Sequence, residues 1–93
     1  MEQLVGHSLK EIDTPALIVD LAVLERNLTR MQSAADRAGL QVRPHIKAHK
    51  TPEIARLQLD TGAIGVTAAK VSEAEVFALC EGVSEIFIAN EVV

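Results

Sequence analysis

Three apolar runs begin near residues 42, 64 and 85, and a helix-like segment fills each gap between them. That spacing narrows the choice of fold more than any other feature. Neighbouring antiparallel strands need only a tight turn, whereas parallel strands need a crossover of about a dozen residues or more, usually a helix. Strand, helix, glycine and strand again is the grammar of repeated βα units and a parallel sheet. The fold class expected is α/β.

In chain order, residues 1–15 read as a polar N-terminal arm, with His7 as a solvated histidine and Asp13-Thr14-Pro15 as a turn. Ala16-Leu17-Ile18-Val19-Asp20 reads as a short buried strand. Asp20 is a helix cap. The helix after it carries Leu21, Leu24, Leu28, Met31 and Ala35 as one apolar stripe, and Gly39 ends it in a left-handed conformation. The next strand is expected over 42–48. Thr51-Pro52-Glu53 starts a helix that stops at Thr61-Gly62, with Thr51 as its cap. Residues 63–69 form a second buried strand. Ser72-Glu73-Ala74-Glu75 reads as a capping box opening a helix with Val76, Leu79 and Cys80 on its inner face and Gly82 at its end. Residues 85–90 form the third strand of the series.

Composition limits the partners. Hydrophobic residues make up 48% of the chain, yet only Phe77 and Phe87 are aromatic, so the core is aliphatic and rich in alanine. A net charge of -4 argues against nucleic acid, which demands a positive surface. The single cysteine, Cys80, permits no internal disulfide and reads as core filler in a reducing compartment. No apolar run approaches the length of a membrane span, and no signal peptide is evident, so a cytoplasmic protein is expected. Three parallel strands with open apolar edges would pair with other chains. A closed (β/α)8 barrel takes about 250 residues. The chain therefore reads as the first three βα units of such a barrel, a fragment of a longer protein.

The stretch Val42-Arg43-Pro44-His45-Ile46-Lys47-Ala48-His49-Lys50-Thr51 carries the chemistry. Apolar or small residues alternate with Arg43, His45, Lys47 and His49, which puts four nitrogen bases on one strand face. His45 and His49 would suit one metal ion on a helix. On a strand they stand roughly 13 Å apart, too far to share an ion bound at about 2 Å. A nucleophilic lysine is the better reading. Enclosure and neighbouring cations both disfavour an ammonium, and Lys47 has Arg43, His45 and His49 on its face. It also lies at the carboxyl end of its strand, where barrel active sites are built. That is the setting of a Schiff-base lysine, with Lys50 and Lys70 as competitors beyond their strands.

These residues bring a resemblance with them. Asp13-Thr14-Pro15-Ala16-Leu17, then Arg43 to Lys50, then Pro52-Glu53-Ile54-Ala55, Lys70-Val71-Ser72-Glu73-Ala74-Glu75 and Ile88-Ala89-Asn90-Glu91-Val92-Val93 resemble the D-threonine aldolase and D-serine dehydratase group. That group comprises pyridoxal-phosphate enzymes of the alanine-racemase fold type, and the aldolase branch is the nearer. The resemblance implies an N-terminal pyridoxal-phosphate-binding barrel, of which residues 16–93 are part, and a C-terminal β domain that takes up the 16–20 strand. It implies that 42–48 is the first barrel strand and that Lys47 carries the cofactor, with Arg43 and His45 as further cofactor-binding candidates. It implies a divalent metal ion whose ligands lie beyond residue 93, a D-amino acid substrate and a homodimer. Aldol cleavage of D-3-hydroxy amino acids is the expected activity. D-serine dehydration, racemisation, a non-catalytic cofactor carrier and an inactive partial barrel are the alternatives. One departure stands out: where aldolase-like relatives commonly have a glutamine before Lys-Val-Ser-Glu, this chain has Ala69.

Overall fold

The computed structural model describes residues 6–91. Residues 1–5 of the expected arm, and Val92 and Val93 at the end of the last family-like stretch, lie outside the described residues. The rest of the arm holds one 3-10 turn, Leu9–Glu11, capped by the Ser8 hydroxyl. His7 is exposed, as expected, and contacts the Glu11 carboxylate.

Residues 16–20 do not form the buried strand expected of them. They carry no regular secondary structure, and Leu17, Ile18 and Val19 are 101%, 63% and 58% exposed. The apolar run is there, but among the described residues no strand pairs with it. Helix α1, Leu21–Arg37, follows at the expected place, with the Asp20 carboxylate accepting Val23 N–H. It closes through two reversed bonds, Gly39 N–H to Asp36 O and Leu40 N–H to Ala35 O, with Gly39 at φ 71°. This is the left-handed cap a glycine accommodates without strain. The expected stripe holds in its middle and at its end, with Leu24 and Leu28 half-buried and Ala35 buried, but Leu21 and Met31 are exposed and Gln32 is buried in place of Met31. Gln32 tolerates burial because its amide donates to Asp36 Oδ1 at 2.9 Å.

Helix α2, Pro52–Thr61, packs on α1 and ends at Gly62. Strand β1 is Val66–Ala68, helix α3 is Val71–Ala78 and strand β2 is Ile86–Ile88. β1 and β2 pair in parallel, Val66 beside Ile86 and Ala68 beside Ile88. Residues 42–46 lie parallel along the other side of β1, through Ile64 N–H to Val42 O, Thr67 N–H to Pro44 O and Ile46 N–H to Thr67 O. The three runs are therefore neighbours in sequence order with one helix crossing between each pair. This is the α/β arrangement that the spacing predicts.

The core is small: Ile46, Ala55, Val66, Ala68, Ala74 and Phe77, with Val83, Ile86 and Ile88 packed against it. It is as aliphatic and alanine-rich as expected, with a single ring at its centre. α3 corrects the sequence reading twice. Its cap is Lys70, and Glu73 rather than Glu75 receives the first backbone N–H groups. Its inner residues are Ala74 and Phe77, whereas Val76 and Leu79 are 55% and 90% exposed. Once the start moves back two residues, Phe77 is the large side chain that falls over the sheet. Cys80 is half-buried and its thiol donates to Val76 O. Among the described residues no helix is long and apolar enough to cross a membrane.

Candidate active site at the carboxyl edge of the sheet

Residues 42–48 do not form the full strand expected of them: 42–46 run beside β1 with one bridge, His45 to Thr67, and residues 47–49 form a turn closed by Lys50 N–H to Ile46 O at 2.8 Å. Two imidazoles explain the early stop. His45 Nδ1 accepts Lys47 N–H at 3.1 Å, and His49 Nδ1 accepts Thr51 N–H at 2.9 Å. Each histidine takes the backbone donor two residues ahead, an alternative to a sheet ladder that local side-chain acceptors offer. The alternation survives up to that point: Ile46 is fully buried, Pro44 and Val42 are half-buried, and Arg43 is exposed. Beyond it the pattern breaks, with Ala48 exposed and His49 half-buried.

The open face carries two rows. His45 is bridged to Thr67, which pairs with Phe87. One step toward the amino ends, Arg43 reaches across Gly65 to the Glu85 carboxylate at 3.1 Å. Lys47 lies beyond the bridge at the carboxyl edge, exposed and in the turn, and Ala69 and Ala89 are the residues that follow β1 and β2 at that edge. The structure brings His45 next to Lys47 through the backbone bond already described. It commits Arg43 to Glu85 at the opposite end of the strands. Lys50 lies at the end of the turn and Lys70 at the start of α3, both exposed.

Sequence reading missed the groups that hold this edge. Thr67 donates its hydroxyl to Arg43 O at 2.7 Å. Thr51 caps nothing with its side chain and instead donates Oγ1 to His49 O at 2.7 Å. The i to i+2 histidine bonds carry no recognised sequence signature, whereas Gly65 in the middle of an apolar run was a visible sign of close backbone approach. Two surface depressions, about 420 Å³ beside Arg43 and Glu85 and about 80 Å³ between α1, α2 and Pro44, both exclude Lys47.

His49 is not free to serve as a metal ligand, although the turn removes the strand-spacing argument made against it. With Nδ1 accepting from Thr51, the neutral ring carries its proton on Nε2, which faces Gln58 Oε1 at 3.3 Å. Burial lowers its pKa below 6.5, partly opposed by the Gln58 bond. The unfolded chain therefore binds the proton more readily, and stability rises with pH across the interval between the two pKa values. The His49 contribution should be complete above about pH 6.5 and fall as the pH drops below it. Thermal midpoints measured against pH for the native protein and H49Q test this. The native protein should lose stability below that point by more than the variant, and parallel curves would refute it.

With this geometry in view, the kinship is clear. The chain is 52% identical over 88 residues to a D-threonine aldolase of Arthrobacter sp, a match covering 95% of this chain. The chain belongs to the D-threonine aldolase and D-serine dehydratase group. It is also 39% identical over 82 residues to the D-threo-3-hydroxyaspartate dehydratase of Delftia sp. (strain HT23), covering 88% of this chain and 21% of that protein. Among solved structures, D-threonine aldolase from Filomicrobium marinum superposes with a TM-score of 0.86 at 49% identity, over 91% of this chain and 23% of that one. No protein-family model matches the chain. The chain spans about a quarter of the length of the relatives it matches, 23% of the Arthrobacter enzyme.

Proposed function

We propose that this chain is part of a pyridoxal-phosphate-dependent lyase that cleaves D-3-hydroxy amino acids to glycine and an aldehyde, with Lys47 as the lysine that carries the cofactor. One observation carries the reading: Lys47 is exposed in the turn that follows the 42–46 stretch, at the carboxyl edge of the parallel sheet. The residues fit the cofactor. Ala69 and Ala89, the residues that follow β1 and β2 at the same carboxyl edge, are small, which would leave room there for a flat ring. The three βα units would then be the first of a (β/α)8 barrel, with the exposed 16–20 segment taken up by a second, β domain.

Pyridoxal phosphate, when bound, supplies a sink for the electron pair released as a bond to Cα breaks. Lys47 would hold it through its amine, and that amine, whenever free, could move a proton at Cα. His45, held by the Lys47 N–H, keeps its Nε2 proton on the same edge, where it can donate to a substrate oxygen or to the cofactor. In the overall reaction the Cα–Cβ bond breaks, the β-hydroxyl gives up its proton to become a carbonyl, and Cα gains a proton. The resemblance also implies a divalent ion. Among the described residues no three His, Cys, Asp or Glu side chains come together to hold one. Dehydration of a D-3-hydroxy amino acid is the second reading, supported by the kinship to the Delftia dehydratase.

Borohydride reduction of the full-length protein with pyridoxal phosphate, followed by peptide mapping, is expected to label Lys47. Label on Lys50 or Lys70 instead would overturn the lysine assignment, and no label would overturn the whole class. With D-threonine as substrate, glycine and acetaldehyde mark the aldolase, and a keto acid with ammonia marks the dehydratase. A labelled protein that turns over neither is a cofactor carrier.

A further inference from the structure

The turn bearing Lys47 ends in a residue of unusual backbone. Lys50 has φ 48°, the left-handed region that L side chains rarely adopt. Its ammonium lies 3.8 Å from Glu73 Oε2, and the Glu73 side chain is only 11% exposed. The other oxygen of that carboxylate, Oε1, accepts Ala69 N–H at 3.0 Å and Lys70 N–H at 3.1 Å. Ala69 and Lys70 are the two residues that follow β1. One nearly buried carboxylate therefore joins the turn after 42–46 to the turn after β1, and both turns leave the same edge of the parallel sheet.

We propose that Glu73 is a positioning residue for Lys47, holding the 47–50 turn against the β1–α3 turn through Lys50. This rests on the reading of Lys47 as the cofactor-bearing lysine. The lysine has no other tether among the described contacts than its own backbone, so where its amine stands depends on how the turn is pinned. The turn is closed by Lys50 N–H on Ile46 O and tied to its surroundings by the Lys50 ammonium on Glu73 and by His49 Nε2 against Gln58 Oε1 on α2. The ion pair is not there for stability, since Lys50 is 63% exposed and such pairs contribute little to folding. Its consequence is geometric.

The Glu73→Gln variant keeps an oxygen for the two backbone donors and removes only the charge facing Lys50. The Lys50→Gln variant removes the pair from the other side without touching the helix cap, and Lys50→Arg restores it. Pyridoxal phosphate is titrated by absorbance into the cofactor-free full-length protein, and thermal midpoints are measured alongside. Binding is expected to weaken by about two- to five-fold in E73Q and K50Q and to recover in K50R, with little change in the midpoints. Equal binding in the native protein, E73Q and K50Q would overturn the proposal. So would a loss of binding that tracks the midpoint and is not rescued in K50R, because that is a structural role alone. A native protein that takes up no cofactor would overturn the Lys47 reading, and the proposal with it.

Discussion

Replacing Lys47 with arginine is expected to abolish cofactor capture and to lower the rate of substrate cleavage by about 10²–10⁴-fold, the contribution that a positioned proton-transfer group alone typically makes. Arginine is the sharper test than alanine. It keeps the positive charge, the length and the exposed location past Ile46, but a guanidinium does not lose its proton in a protein and cannot act as an amine nucleophile. A charge-dependent role for Lys47, such as holding a substrate carboxylate, would leave K47R largely active. A covalent role would not. Lys47 is exposed and makes only a backbone contact, to His45 Nδ1, so the variant should keep the native thermal midpoint. Lys70→Arg is the matched control, since Lys70 is also an exposed lysine beyond a strand end and should retain native activity. Absorbance of the bound cofactor, borohydride capture and steady-state rates together read the outcome. Substantial capture by K47R, or equal losses in K47R and K70R, would defeat the assignment.

The α/β order was legible because its signals are local. Asp20 before an apolar stripe, Pro52 after Thr51 and Gly39 after Ala38 fix where helices begin and end with little help from distant residues. The open face of 42–46 was legible for the same reason, since strand geometry alone separates Arg43 and His45 from Pro44 and Ile46. What sequence could not yield depends on contacts made across the chain. In α1 Gln32 rather than Met31 is buried because Gly62 faces it, and nothing in α1 announces that. The inner face of α3 was misread because the cap was set two residues late: Glu73 serves the N–H groups of Ala69 and Lys70, so the phase of every later side chain shifts. The strand end was misread because His45 and His49 each take a backbone donor two residues on. That single difference makes Lys47 a turn residue rather than a strand residue. For residues 16–20 both strand and burial were inferred from apolarity alone. Ala16 to Val19 are apolar yet exposed, and among the described residues no strand forms there.

Substituting Gly65 with alanine is expected to be the most destabilising single-methyl change in the sheet. Gly65 is buried at the amino end of β1, directly beside Glu85. A Cβ there would stand 2.5 Å from Glu85 O, 2.8 Å from Glu85 Cβ and 3.1 Å from Glu85 C. Two of those three atoms are backbone, so no side-chain rotation relieves the clash, and β2 itself must move. The first bond to suffer is Val66 N–H to Glu85 O, now 3.0 Å, which opens the β1–β2 ladder and leaves a buried donor unpaired. Overpacking costs about 1–3 kcal/mol, and an orphaned buried donor about 1–3 kcal/mol more. The expected loss is therefore about 2–6 kcal/mol, a large part of the 5–15 kcal/mol that holds a typical domain together. Gly39→Ala provides the contrast. Gly39 has φ 71° but nothing within 4 Å of its added methyl, so only backbone strain opposes the change, about 1–2 kcal/mol. Urea midpoints for the two variants decide whether close approach or backbone conformation matters more. G65A should unfold at clearly lower urea than G39A, and the reverse order would show that β2 yields easily. Displacement of Glu85 would also break its pair with Arg43, whereas Lys47 lies on the far side of the His45–Thr67 bridge. If Lys47 carries the cofactor as proposed, such G65A protein as remains folded should still capture pyridoxal phosphate there, which would separate a structural clamp at the amino end from the proposed site at the carboxyl end.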